Sequence, residues 1–222
     1  HVPLRAGWVL DASASLRGAR LDHLQAASRA LVAGLRDRDE AALVGFSHEL
    51  SVMVPQGAHR STVRQAIDAI TPGGATAMWD DLCPRPRLPR AGGRALVVLF
   101  TDGEDNMSWL SAEQVQRVAE ESNAVVHVVT ISEPGFAEPL SRKPLRRIAG
   151  ATGGKVWEAG SSKDLEPTFL RILSEMQSAY LLTYEPSGVK AGGWHRIEVK
   201  VKGGRGKVRT RGGSFVPPQA RP

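Results

Sequence analysis

The feature that most constrains the fold is a set of short, almost wholly apolar runs separated by helical patterns. The runs are Gly7–Leu10 (GWVL), Ala41–Phe46 (AALVGF), Ala95–Phe100 (ALVVLF) and Ala124–Ile131 (AVVHVVTI). Each is too short for a stable helix and is apolar on both parities. Each therefore reads as a strand covered on both faces. Between them, Leu21, Leu24, Leu31 and Leu35 recur at helical spacing, Thr62–Ile70 is amphipathic, and Ser111 with Glu113 opens a helix running to Ser122. Leu50–Val54 reads as a strand paired with Ala41–Phe46. Further on come a helix from Pro144 to a glycine stop, a strand over Lys155–Gly160 and a helix over Asp164–Tyr180. This alternation predicts an α/β fold with a doubly wound, mostly parallel sheet flanked by helices.

After Ala179 the pattern changes. YLLTYE, HRIEVKVK and KVRTR have period two and are separated by Gly-rich turns, which predicts an antiparallel appendage with one polar face. The expected organisation is a main domain over 1–178, a β extension over 179–216 and a disordered tail over 217–222. Charge divides along nearly the same line. Up to Ser187 there are 20 Lys and Arg against 22 Asp and Glu; beyond it there are 9 against Glu198 alone, a balance of +8. The basic character thus belongs to the tail.

With 222 residues, 41% of them hydrophobic, the chain can bury a sizeable core. The single cysteine, Cys83, rules out an internal disulfide and a cysteine-based zinc site. No apolar run approaches the ~20 residues that span a bilayer. No signal peptide is visible. Because the chain opens almost directly on a strand, that says little about the parent protein.

In sheets of this kind ligands bind beyond the carboxyl ends of the strands. Two acidic clusters fall at such ends: Asp11, Ser13 and Ser15 in DASAS after the first strand, and Asp102 in FTDGEDN after the apolar central one. A third contributor is Thr76, in a glycine-led loop (GGATAMWDD). Carboxylates and hydroxyls are hard oxygen donors suited to Mg²⁺, Ca²⁺ or Mn²⁺. Two carboxylates with three hydroxyls leave room for water and for one outside group.

D-x-S-x-S, a later G-x-T loop and T-D-G, in this order and on these elements, resemble the von Willebrand factor type A domain and its metal-ion-dependent adhesion site. The resemblance covers roughly Val2 to Met176. It implies that Ser13 and Ser15 bind a metal directly, that Asp11 and Asp102 bind directly or through water, and that Thr76 does either according to ligand state. It further implies a protein partner that presents an acidic residue to the metal. The tail is similar to that of a bacterial subgroup, the VWFA-related acidobacterial domain proteins, which implies export to the periplasm, cell surface or medium. Ala14 stands where the family often has glycine. Three prolines in Cys83–Arg90 shorten the helix expected after the Thr76 loop. The N-terminal extension usual in the subgroup is missing.

Other residues at the rim have plainer readings. Asp80 and Asp81 suit a helix N-terminus. Glu104 and Asp105 shape the loop and its negative field. Trp79 and Trp109 suit either packing or a protein interface. His127, inside an apolar strand, reads as a core histidine. The expected function is cation-dependent protein binding without catalysis. A magnesium-dependent phosphohydrolase is the enzymatic alternative, but it asks for a second carboxylate where Ser13 stands and a lysine near the phosphate, absent from the rim motifs. The basic tail offers a further alternative, binding of an anionic polymer. It lacks aromatics interleaved among its basic residues, so no specific nucleic-acid recognition is expected.

Overall fold

A computed structural model describes residues 2–46, 50–73, 94–101, 111–122, 124–132, 142–185, 187–188, 192–203 and 208–216. Six strands form one sheet: β1 (Leu4–Asp11), β2 (Glu40–Phe46), β3 (Leu50–Val54), β4 (Arg94–Phe100), β5 (Ala124–Ile131) and β6 (Val156–Ala159), in the order β3-β2-β1-β4-β5-β6. All neighbours pair in parallel except β3, which runs antiparallel to β2. The α/β expectation holds. The chain builds outward from β1 to β2 and β3, then returns to β1's other side with β4. That reversal makes the carboxyl ends of β1 and β4 the switch point of the sheet.

Helices α1 (Ala19–Ala33), α2 (Arg60–Asp68), α3 (Ala112–Glu121), α4 (Arg142–Ala151) and α5 (Leu165–Ser178) cover the two faces. Side-chain alternation sorts the core. Leu4, Ala6, Trp8 and Leu10 of β1 join Leu24 and Leu31 of α1, Ile67 of α2 and Phe169 and Ile172 of α5. Val97 and Leu99 of β4 face the other way, onto Val115 of α3 and Leu145 and Ile148 of α4. All seven residues of β4 are buried, as a strand apolar on both parities requires. At ~25 cal/mol per Å² of apolar surface, each such side chain contributes about 2 kcal/mol.

Local signals differ in detail from the sequence reading. Ser111 caps α3 through a capping box, but the reciprocal partner is Gln114 rather than Glu113, because the third helical residue is the one that reaches back. α2 begins two residues before the predicted Thr62, with His59 accepting from the Ser61 amide. The glycine stop after α4 is real: Gly153 has φ +85°, which few other residues adopt. A Cβ on Gly154 would lie 1.9 Å from the Val126 carbonyl oxygen, so only glycine lets the chain pass this close to β5. The predicted shortening after Cys83 falls outside the described residues.

The tail is less regular than its period-two pattern suggests. Its one ladder among the described residues is the antiparallel pair β7 (Gly193–Arg196) and β8 (Gly213–Val216). Tyr180–Glu185 and Ile197–Val201 carry no strand assignment. The base of the domain holds both ends of this segment. Arg94 Nη1 donates to the carbonyls of Met176, Gln177 and Ala179. Arg211 Nη2 donates to the Glu120 carbonyl at the end of α3, and the Gly212 amide to the Ala151 carbonyl at the end of α4. A guanidinium at a helix carboxyl end also meets the negative pole of the helix dipole.

His127 is a fully buried core residue, and its Nδ1 accepts a hydrogen bond of 2.9 Å from Trp157 Nε1. Burial, with Arg209 and Lys155 nearby, lowers its pKa from 6.5 to about 4. The folded protein thus resists a proton that the unfolded chain accepts below pH 6.5. His127's contribution is intact above that pH and falls away by about 3 kcal/mol as the pH approaches 4. Urea unfolding across this interval should show the loss, and His127→Gln should flatten that part of the profile. An unchanged slope in the variant contradicts the assignment.

Candidate metal centre

β1 delivers Asp11 to the carboxyl rim of the sheet, and the next residues turn sharply. A short 3₁₀ turn over Ala14–Leu16 follows, with the Leu16 amide donating to the Ser13 carbonyl at 3.1 Å. Leu16 is fully buried and pins this turn to the core. Among the described residues no residue other than glycine has a positive φ, so Ala14 is under no strain in a place where glycine is frequent.

Asp11 is fully buried, an expensive position for a carboxylate unless it is satisfied. Its Oδ1 accepts from the Ser13 amide at 2.9 Å. Its Oδ2 accepts from Thr101 Oγ1 at 3.2 Å. Thr101, itself fully buried, follows β4 directly, and β4 pairs with β1 up to Leu10 opposite Phe100. One hydrogen bond thus joins the ends of the two strands at the switch point. Within T-D-G the sequence pattern assigns a ligand role to Asp102 and none to Thr101. The available signal was its position as the first polar residue after a wholly apolar strand, beside the end of β1.

The two serines converge. Ser13 Oγ and Ser15 Oγ stand 2.9 Å apart, with Ser13 buried and Ser15 half-buried. Arg20, the second residue of α1, donates from Nη1 to the Ser15 carbonyl at 3.3 Å and helps to hold the turn. The Gly73 amide donates to the Ala12 carbonyl at 2.9 Å, which brings the chain ahead of Thr76 against the same turn. Three of the five predicted residues, Asp11, Ser13 and Ser15, are therefore together. Thr76 and Asp102 lie outside the described residues, three positions beyond Gly73 and one beyond Thr101. Asp80, Asp81, Glu104, Asp105, Trp79 and Trp109 also lie outside them.

The donor set fits a hard cation. Adjacent ligands of an octahedral Mg²⁺ at 2.0–2.1 Å stand about 2.9 Å apart, and the two hydroxyls already have that separation. Neighbouring equatorial ligands of a seven-coordinate Ca²⁺ at 2.3–2.6 Å also stand about 3 Å apart, so the spacing suits either cation. No group of three or more His, Cys, Asp or Glu gathers among the described residues, so a softer site rich in His and Cys is not seen there.

Thr101→Val should remove one buried donor from Asp11 Oδ2 and lower stability by about 1–3 kcal/mol, while Thr101→Ser should retain most of it. Urea unfolding of the three proteins measures this. Equal midpoints for Val and wild type would remove Thr101 from the account.

Known proteins carry the same architecture. A family model described as the von Willebrand factor type A domain matches residues 8–170. Among solved structures, a von Willebrand factor type A protein from Catenulispora acidiphila superposes with TM-score 0.60 at 18% identity, over 79% of this chain and 43% of that one. The vWF domain of the type V pili tip protein Mfa5 from Porphyromonas gingivalis gives TM-score 0.66 at 13% identity, over 82% and 98%. The PilB minor pilin from Streptococcus sanguinis gives 0.60 at 15%, over 79% and 61%. The chain thus spans less than half of the Catenulispora protein. No curated protein matches by sequence.

Proposed function

Since the chain belongs to the von Willebrand factor type A domain family, we propose that it is a divalent-cation-dependent protein-binding module of the adhesion type. The observation that carries this reading is the convergence of Ser13 and Ser15, 2.9 Å apart, beside the buried Asp11 at the sheet's switch point. The residues that would hold the ion are Asp11, Ser13, Ser15, Thr76 and Asp102, and the ion they suit is Mg²⁺, Ca²⁺ or Mn²⁺. Bound there, a divalent cation supplies an electrophilic centre for one carboxylate of a partner protein.

The chain's own residues tune this chemistry. Neutral serine hydroxyls leave the cation's charge less compensated than carboxylates would. Asp11, held on both oxygens by Ser13 and Thr101, cannot swing away from the rim. Thr101 acts through Asp11 as a positioning residue. The fold's neighbours include proteins named as a pilus tip protein and a minor pilin, which supports an adhesive rather than a catalytic role. The same reading carries export in a bacterium and kinship with the acidobacterial subgroup. Fractionation of the native organism tests the export, and recovery of the protein only from cytosol would refute it.

Titration calorimetry of the purified chain with Mg²⁺, Mn²⁺ and Ca²⁺ should show single-site binding. Asp11→Ala should abolish it, and Thr101→Val should weaken it by about 10–100-fold, as loss of a supporting partner does at metal sites. If none of the three cations produces heat or raises the melting temperature, the reading fails. Capture of an acidic partner in Mg²⁺ and its release by EDTA would then identify the ligand.

A further inference from the structure

Nine large hydrophobic residues are exposed among the described ones, and seven of them lie beyond Ala179. Four occur in one stretch: Tyr180, 93% exposed, with Leu181, Leu182 and Tyr184. Trp194, Val201 and Val208 follow. Folded domains rarely leave so many large apolar side chains together in water without a use for them. The same segment carries the chain's positive charge, with 8 Lys and Arg against Glu185 and Glu198 over residues 180–216. Along β7 and the residues after it, the exposed parity is Trp194, Arg196, Glu198, Lys200 and Lys202. Of these, Glu198 is paired with Lys200 at 3.2 Å.

Both ends of this segment are fixed at the amino-terminal edge of the sheet. Arg94, the first residue of β4, holds the carbonyls of Met176, Gln177 and Ala179, and Arg211 and Gly212 hold the carboxyl ends of α3 and α4. Asp11, Ser13 and Ser15 occupy the opposite edge. β1, with eight residues, separates the two edges by about 23 Å.

We propose that the described parts of the tail, residues 180–185, 192–203 and 208–216, form a docking surface for an anionic lipid bilayer, which leaves the metal-site rim facing away from the membrane. A surface of nearly one sign calls for a partner of the opposite sign over a comparable area. Exposed tyrosine, tryptophan and leucine in the same segment as those cations call for a partly apolar layer as well, and Tyr and Trp favour the headgroup level. An anionic bilayer offers both as one continuous plane. A second copy of the chain would bring the same positive tail against this one. Nucleic acid would meet the cations but give Leu181, Leu182 and Val201 nothing to contact. No helix among the described residues is long and apolar enough to span a membrane, so the contact is interfacial. This inference does not depend on the cation.

The test is co-sedimentation of the full chain with phosphatidylcholine vesicles containing phosphatidylglycerol and with phosphatidylcholine vesicles alone, at low and high salt. The chain should bind the anionic vesicles, release in high salt and bind neutral vesicles weakly. Reversal of Arg196, Lys200 and Lys202 to Glu should lower binding by about a hundredfold. Tyr180→Ser with Leu182→Ser should lower it by about tenfold. Arg64→Glu with Arg117→Glu, exposed on α2 and α3, should leave it unchanged. Equal binding to both vesicle types, or insensitivity to both tail variants, overturns the proposal. So does a dimer in analytical ultracentrifugation that dissociates in the Tyr180/Leu182 variant, because a second copy then covers the segment.

Discussion

A fully buried carboxylate at the end of a strand has to find donors, or fold without its charge. Among Asp11's donors are the Ser13 amide of its own turn and the Thr101 hydroxyl just past the neighbouring strand. Much of the rim depends on this arrangement. It sets the direction in which the chain leaves β1, so that Ser13 and Ser15 face each other. It also ties the ends of β1 and β4 where the sheet changes direction. The strand order 3-2-1-4-5-6 creates the crevice there, and the side chains at Asp11 and Thr101 decide what the crevice can hold.

The architecture was largely legible in the sequence because parallel strands buried on both sides have a distinctive apolar signature. Ala95–Phe100 and Ala124–Ile131 could hardly be anything else, and Leu24 and Leu31 of α1 fall on the core side as their spacing requires. The turn bearing Asp11, Ser13 and Ser15 was also readable, since D-x-S-x-S puts three oxygen donors just past a strand end. The bond from Thr101 was not, because it joins residues 90 positions apart and a threonine's partner cannot be read from local pattern. Ser111 with Glu113 marks the start of α3, but the residue that closes the capping box, Gln114, is fixed by geometry. An acid near a helix start is common, but only the third position has the geometry to reach back.

The tail shows where pattern reading stops. Alternation identifies strand-prone segments, but a ladder also needs a neighbour at the right distance, and period two does not name one. YLLTYE has the composition of a strand without a described ladder partner. Gly213 shows how specific the pairing is where it does occur: a Cβ there would lie 2.5 Å from both the Trp194 indole and the His195 carbonyl oxygen. The β7–β8 pair thus depends on a missing side chain as much as on those present.

The parallel register of β1 and β4, held over seven residue pairs from Leu4–Arg94 to Leu10–Phe100, has a mechanical consequence. Tension applied between the two edges of the sheet runs along these strands, not across them. The ladder bonds are then loaded together in shear, and none can be peeled open before its neighbours. Arg94, gripping three carbonyls at the end of α5, sits where such a pull would enter the central strand. Pulled between these edges, the sheet would give way as one ladder and not bond by bond.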